Sequence, residues 1–223
     1  MADGFLYFDI SPEISERTAV FPGDRPFKRK VALDFSKGDH LTLSSIETTL
    51  HIGAHVDAPN HYSAQGESMG SRSLEYYLGH CQVIEVSLAR GERIYSKHFS
   101  GVEIGSRRVL FKTGSFPDPN SWNGDFNSLS AELVEYLAAR GVILAGIDTP
   151  SVDLAEDKIL ESHQAIERAG MAVLEGIILK DVAPGFYSLI SLPLRIRDAD
   201  ASPVRAILIP SGPSGDPGVL WKR

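Results

Sequence analysis

Apolar runs broken by glycine, proline and charge organise this chain into short elements. Residues 5–10, 41–46, 83–88, 108–112, 142–147, 171–179 and 206–209 read as strands. Between 129 and 137 the apolar positions recur at helical spacing, with Ser130 as N-cap and Gly141 as the stop. A second helix is expected over 158–169, ending at Gly170. Helix, strand, helix, strand from about 130 to 180 is the rhythm of parallel strands joined by helical crossovers. The expected fold is therefore mixed α/β, a single domain over 1–223 with a strand-rich first half, a central mixed sheet and few helices.

Two segments fall outside this pattern. Residues 114–128 are rich in Pro, Gly, Asn and Asp, carry Trp122, and are too long for a simple connection. A binding loop and a disordered surface loop are equally compatible with that composition. Residues 210–223 begin with a Gly/Pro/Ser-rich stretch and read as a flexible tail.

Charge and cysteine content narrow the function. With 22 basic against 29 acidic side chains the net charge is −7, which repels phosphate backbones, so nucleic acid is not an expected partner. The single Cys81 excludes an internal disulfide and any paired-cysteine metal motif. No stretch approaches the ~20 apolar residues of a membrane span, and no secretory leader is visible, so a cytoplasmic protein without a membrane partner is expected.

The chemistry concentrates in His51-Ile-Gly-Ala-His55-Val-Asp57-Ala-Pro-Asn-His61. Imidazole and carboxylate bind Zn²⁺, Mn²⁺ or Fe²⁺ when three or four converge on one point. A straight strand would hold His51 and His55 about 13 Å apart at ~3.3 Å per residue, too far for one ion. Gly53 and Pro59 oppose a helix, which leaves an extended segment bent at Gly53 to bring the rings together. Glu175 stands inside an apolar run, and a buried carboxylate is costly unless paired or metal-bound. Asp148 ends the run 142–147 and reads equally as a turn residue or as a hydrogen-bond acceptor behind a ligand. The nucleophile-elbow, P-loop and dinucleotide-binding signatures are all missing.

The histidine motif resembles the centre of the metal-dependent cyclase family, which includes bacterial kynurenine formamidases. Phe21-Pro-Gly-Asp24, Gly146-Ile-Asp-Thr-Pro-Ser151, Met171-Ala-Val-Leu-Glu-Gly-Ile177 and Asp200-Ala-Ser-Pro-Val-Arg-Ala206 resemble family segments as well. The resemblance implies a swivelling β/β/α-like fold. It also implies two divalent ions, zinc first and manganese second, with His51, His55 and Asp57 on one and Asp57, His163 and Glu175 on the other.

Further implications are His61 as the proton-transfer residue and Phe21 on the substrate ring, where many formamidases carry tryptophan. The implied reaction is hydrolysis of N-formyl-L-kynurenine, a small-molecule aryl formamide, to kynurenine and formate in tryptophan degradation. The implied assembly is a homodimer. The alternatives are an isatin hydrolase-like cyclic-amide hydrolase and a non-catalytic metal-binding protein. Structural zinc sites close with protein ligands, often sulfur, and this donor set has none.

Overall fold

The computed structural model describes residues 6–212. Along them run β1 (Phe8–Asp9), β2 (Lys28–Leu33), β3 (Leu43–Glu47), β4 (His55–Asp57), β5 (Leu78–Glu85), β6 (Arg93–Ile94), β7 (Arg108–Lys112) and β8 (Ser128–Leu129). They are followed by α1 (Ala131–Ala138), β9 (Leu144–Ile147), α2 (Glu161–Arg168), β10 (Ala172–Leu174), β11 (Gly185–Ile190), β12 (Ala201–Pro203) and β13 (Ile207–Pro210).

Seven strands form one sheet in the order β1-β13-β11-β5-β7-β9-β10. Strands β5, β7, β9 and β10 pair in parallel, and β11, β13 and β1 continue the sheet antiparallel. Parallel strands bury both faces, and here neighbouring residues alternate between two cores. Val83, Leu110, Leu144 and Leu174 point into one, while Ile84, Val109, Ala145 and Val173 point into the other. Leu133, Val134 and Leu137 of α1 and Ile166 of α2 fill the second core. The first is closed by Ala54, Val56 and Ala58 around β4 and by Ala199 and Val204 around β12. The β4–β12 ribbon therefore lies across one face of the sheet, next to the carboxyl end of β10. This is the mixed α/β domain expected, with its curled central sheet and few helices.

Several boundaries differ from the sequence reading for local reasons. Helix α1 is capped by Ser130, whose Oγ accepts from Leu133 N at 3.1 Å, as read. Helix α2 starts only at Glu161, because Leu160 takes a left-handed conformation and Asp157 accepts the amides of Ile159 and Leu160 in a turn. The run 171–179 is strand only as far as Leu174, since Gly176 turns the chain at φ +64°. Strand β2 escaped the hydropathy reading, and its hairpin with β3 explains why: almost every residue on it is exposed, so no alternation is imposed.

Loop 114–128 is packed rather than loose. Pro119 O accepts from Ala19 N, and Asn127 Nδ2 donates to Ala89 O and Glu92 O. From residue 213 on, the expected tail lies outside the described residues. Among the described residues no helix is long and apolar enough to cross a membrane.

Candidate metal centre

The bend expected at Gly53 is present, with φ at +58°. The turned-back carbonyl of Gly53 accepts from His55 Nδ1 at 2.9 Å, which fixes the proton there and leaves Nε2 with its lone pair facing inward. His55 and Asp57 sit on β4 with only Val56 between them, so their side chains share a face. Strand β4 is joined to the end of β10 by a bridge: His55 N donates to Glu175 O at 3.0 Å and Glu175 N to His55 O at 2.9 Å. That bridge places the Glu175 carboxylate 3.1 Å from His55 Nε2. Val152 N holds the other carboxylate oxygen at 2.7 Å.

The structure brings all of the sequence-predicted ligands together. His51 Nδ1 lies 2.9 Å from Asp57 Oδ1, and the His51 ring centroid is 5.2 Å from that of His55. His163, delivered by the first turn of α2, puts Nε2 3.3 Å from Asp57 Oδ2 and 3.6 Å from Glu175 Oε1. Asp57 belongs to both groupings of close donor atoms, one with His51 and His61 and one with His55 and Glu175. His55 thus stands nearer to Glu175 than the implied division of ligands suggests, while Asp57 keeps its central place.

Two observations test whether this cage fits a cation. His55, Asp57, His163 and Glu175 are all at most 3% exposed. Yet His55 Nε2 and Asp57 Oδ1 have no aligned hydrogen-bond partner, although other ring and carboxylate atoms lie 2.9–3.6 Å away. Buried polar atoms left like this are costly, and lone pairs aimed at a shared centre instead of at one another are what a divalent ion requires. The donor set fits.

Charge within the cage is strongly coupled. Burial lowers the His51 pKa, but Asp57, with help from Asp200 and Glu175, more than reverses this and holds it at about 10. His163 is likewise held at about 10, burial being outweighed by Asp153, Asp57 and Glu175. Burial would raise Asp57, but the surrounding imidazoles hold it well below the usual carboxylate range. His61 is different: burial and the neighbouring His51 and His163 lower its pKa against the pull of Asp57. It is the most exposed of the histidines around the cage, 3.9 Å from Asp57 Oδ2 at the cavity edge.

The cage forms the floor of a cavity of about 780 Å³. Its walls are mainly apolar, with Phe21, Phe116, Pro117, Pro119 and Leu160 among the lining residues. Phe21 is backed edge-to-face by Trp122, with ring centroids 4.9 Å apart, so loop 114–128 supports this wall. Asp148 lines the cavity but holds the turn after β7, accepting from Thr113 N and Gly114 N; burial raises its pKa. Among the described residues its hydrogen bonds go to Thr113 and Gly114 and none to a cage histidine, so it holds a neighbouring turn and does not back a ligand.

Two carboxylates escaped the sequence reading. Asp153 accepts from His163 Nδ1 at 2.8 Å, and Asp200 faces His51 Nε2 at 2.9 Å. Asp200 stood in a segment noted for other reasons, and Asp153 offered only its nearness to Asp148. Outside the cage, His80 stacks on Phe186 and His98 Nδ1 accepts the amide of Tyr95.

Comparison with known proteins identifies the family. The family model described as "Putative cyclase" matches residues 8–154, nearly two thirds of the chain. The chain belongs to the cyclase family. Its family relatives include the kynurenine formamidase of Bordetella petrii, 44% identical over 202 residues that cover 90% of this chain and 96% of that one.

Among solved structures of similar shape is a potential metal-dependent hydrolase with cyclase activity. It matches with a TM-score of 0.78 and 25% identity over 91% of this chain and 96% of that one. Isatin hydrolase A from Labrenzia aggregata shares the cyclase fold, with a TM-score of 0.78 at 18% identity over 91% and 93%.

Proposed function

We propose that this cyclase-family chain hydrolyses N-formyl-L-kynurenine to L-kynurenine and formate. The observation that carries the reading is the buried cage of three imidazoles and two carboxylates, opening onto an aromatic-walled cavity. Identity of 44% to a protein named kynurenine formamidase selects the substrate within the family. The cyclic-amide alternative rests on likeness of fold alone, at 18% identity.

His51, His55, Asp57, His163 and Glu175 would hold two divalent ions, zinc first and manganese second. When bound, such ions lower the pKa of a coordinated water toward 7 and polarise a carbonyl. The chain's own residues do the rest. Phe21, stiffened by Trp122, packs on the aromatic ring and aims the formyl group at the floor. His61 is kept neutral at neutral pH by its depressed pKa. It accepts the proton released as water adds to the formyl carbon, then returns it to the aryl nitrogen as the C–N bond breaks. Asp200 Oδ2, 2.9 Å from His51 Nε2 and 3.7 Å from His61 Nδ1, orients the two neighbouring rings.

A purely structural metal is disfavoured by the cavity above the cage and by the absence of sulfur donors. A cytoplasmic location and a homodimer are part of the same proposal. The exposed β2–β3 hairpin carries Phe35, Leu43 and Ile46, each more than half exposed, and is the surface a second copy would cover.

The test is N-formyl-L-kynurenine hydrolysis by the purified protein with chelator and after zinc or manganese is restored. Chelator-sensitive release of kynurenine is expected. A metal-loaded protein inert toward this substrate but active on isatin would overturn the formamidase reading, and a protein that takes up no metal would overturn the cage. Light scattering of an Ile46→Lys, Leu43→Lys variant should report monomers in place of dimers.

A further inference from the structure

We propose that Arg93 is a positioning residue for the metal centre, acting through Asp153 on the ring and backbone of His163. The proposal rests on His163 being a metal ligand, as read above.

The N-terminus of α2 has an unusual problem. Its N-cap residue, Leu160, is left-handed at φ +56° and has no side chain able to accept a hydrogen bond. Carboxylates from the preceding loop do the capping. Asp153 accepts from Ser162 N at 3.0 Å and His163 N at 3.1 Å, and Asp157 accepts from Glu161 N at 3.4 Å.

The Asp153 oxygen that takes the backbone amide of His163 also takes His163 Nδ1, at 2.8 Å. One carboxylate therefore sets both where His163 begins and which way its ring faces. With Nδ1 donating there, Nε2 is the atom turned toward Asp57 and Glu175.

Asp153 is fully buried, and an isolated carboxylate could not remain charged there without a partner. Arg93 on β6 is that partner. Its Nη1 lies 2.9 Å from Asp153 Oδ1 and 2.8 Å from Leu129 O, while Nη2 lies 2.5 Å from Asp157 Oδ2 and Nε 3.1 Å from Glu161 Oε1. The planar fork thus joins three acidic groups around one helix end, which a lysine could do only as a point charge. Among the described residues strand β6 pairs only with the two-residue β8, and this short ribbon holds the guanidinium in place. Neither Arg93 nor Asp153 lines the main cavity, and of the carboxylates that Arg93 holds, Asp153 is the one bonded to a cage histidine.

The test is metal binding by the full chain, stripped with chelator and titrated with cobalt(II). Calorimetry gives stoichiometry and affinity, and visible absorption reports ligand geometry. His163→Ala is the control and should lose one ion. Arg93→Ala and Asp153→Asn should weaken that same ion about 10- to 100-fold and shift its absorption, leaving the other ion's affinity unchanged. Arg93→Lys should recover part of the loss.

Circular dichroism establishes that each variant is folded. Asp153→Asn, nearly isosteric, carries the test should Arg93→Ala not fold. Wild-type affinity for both ions in Asp153→Asn, with one ion lost in His163→Ala, overturns the relay and leaves the ligand assignment intact. Unchanged binding in His163→Ala overturns the ligand assignment and the relay with it.

Discussion

Gly176→Ala is the sharpest test of how the cage is built. Gly176 follows Glu175 directly, at φ +64°, and an added Cβ would stand 2.0 Å from Gly53 O and 2.8 Å from Gly53 C. Those are backbone atoms of the bend that presents His55, so no side-chain rotation relieves the overlap. A left-handed alanine costs roughly 1–2 kcal/mol, and forcing packed backbone apart roughly 1–3 kcal/mol more. The sum, about 2–5 kcal/mol, corresponds to a fall in Tm of roughly 4–20 °C for a domain of this size.

Gly170→Ala is the matched control. It shares φ +64° but has nothing within 4 Å of the new Cβ, so only the conformational part of the loss should appear. Differential scanning calorimetry of both variants, stripped and metal-loaded, separates the two contributions. Because the clash also displaces the acceptor of His55 Nδ1, Gly176→Ala should hold its ions more weakly and gain less Tm from metal than wild type. Equal Tm values for the two variants, or a full metal complement in Gly176→Ala, would refute the reasoning.

The other predictions concern individual groups. His61→Ala should retain its metal by elemental analysis while kcat falls about 10²- to 10⁴-fold, the usual contribution of a positioned acid–base group. Asp57→Ala should lose both metal and turnover, since its carboxylate is common to both donor groupings. Phe21→Ala should raise KM for the aryl formamide more than it lowers kcat, measured by initial rates.

In the metal-free protein, His51 and His163 have folded pKa values of about 10 against 6.5 unfolded. Their stabilisation is complete below pH 6.5 and is lost as pH rises through 10. The depressed pKa of Asp57 adds stability above 3.8 that disappears on acidification. Thermal melts of stripped protein should therefore be highest between about pH 4 and 6.5 and decline steadily on the alkaline side.

Much of this was legible from the chain because the determinants are local. The bend at Gly53 followed from a glycine between two histidines too far apart on a straight strand, and Glu175 stood out as a charge in an apolar run. The parallel strands β7 and β9 showed as uninterrupted apolar runs because both of their faces are buried. Strand β2 did not show, because a hairpin exposed on both sides puts no constraint on which residues are polar. The late start of α2 was hidden because Leu160, a good helix former, stands left-handed beside a turn in which Asp157 takes the amides of Ile159 and Leu160. Asp153 was invisible for a related reason: its partners Arg93 and His163 lie 60 and 10 residues away, and only the fold makes it buried.

The bridge between His55 and Glu175 has a consequence for how the protein comes into being. It joins positions 120 residues apart, so no shorter stretch of chain contains a complete binding site. A divalent ion held from both sides, as proposed, would act as a removable staple across that long loop, tightening the folded state by mass action and having little to hold in the unfolded one. On that proposal loading would be a late event, possible only after β10 has been made and docked, and an ion in place would certify that the sheet has closed. Chelation should undo that staple and leave the same chain, fully folded, easier to open at the β4–β10 seam.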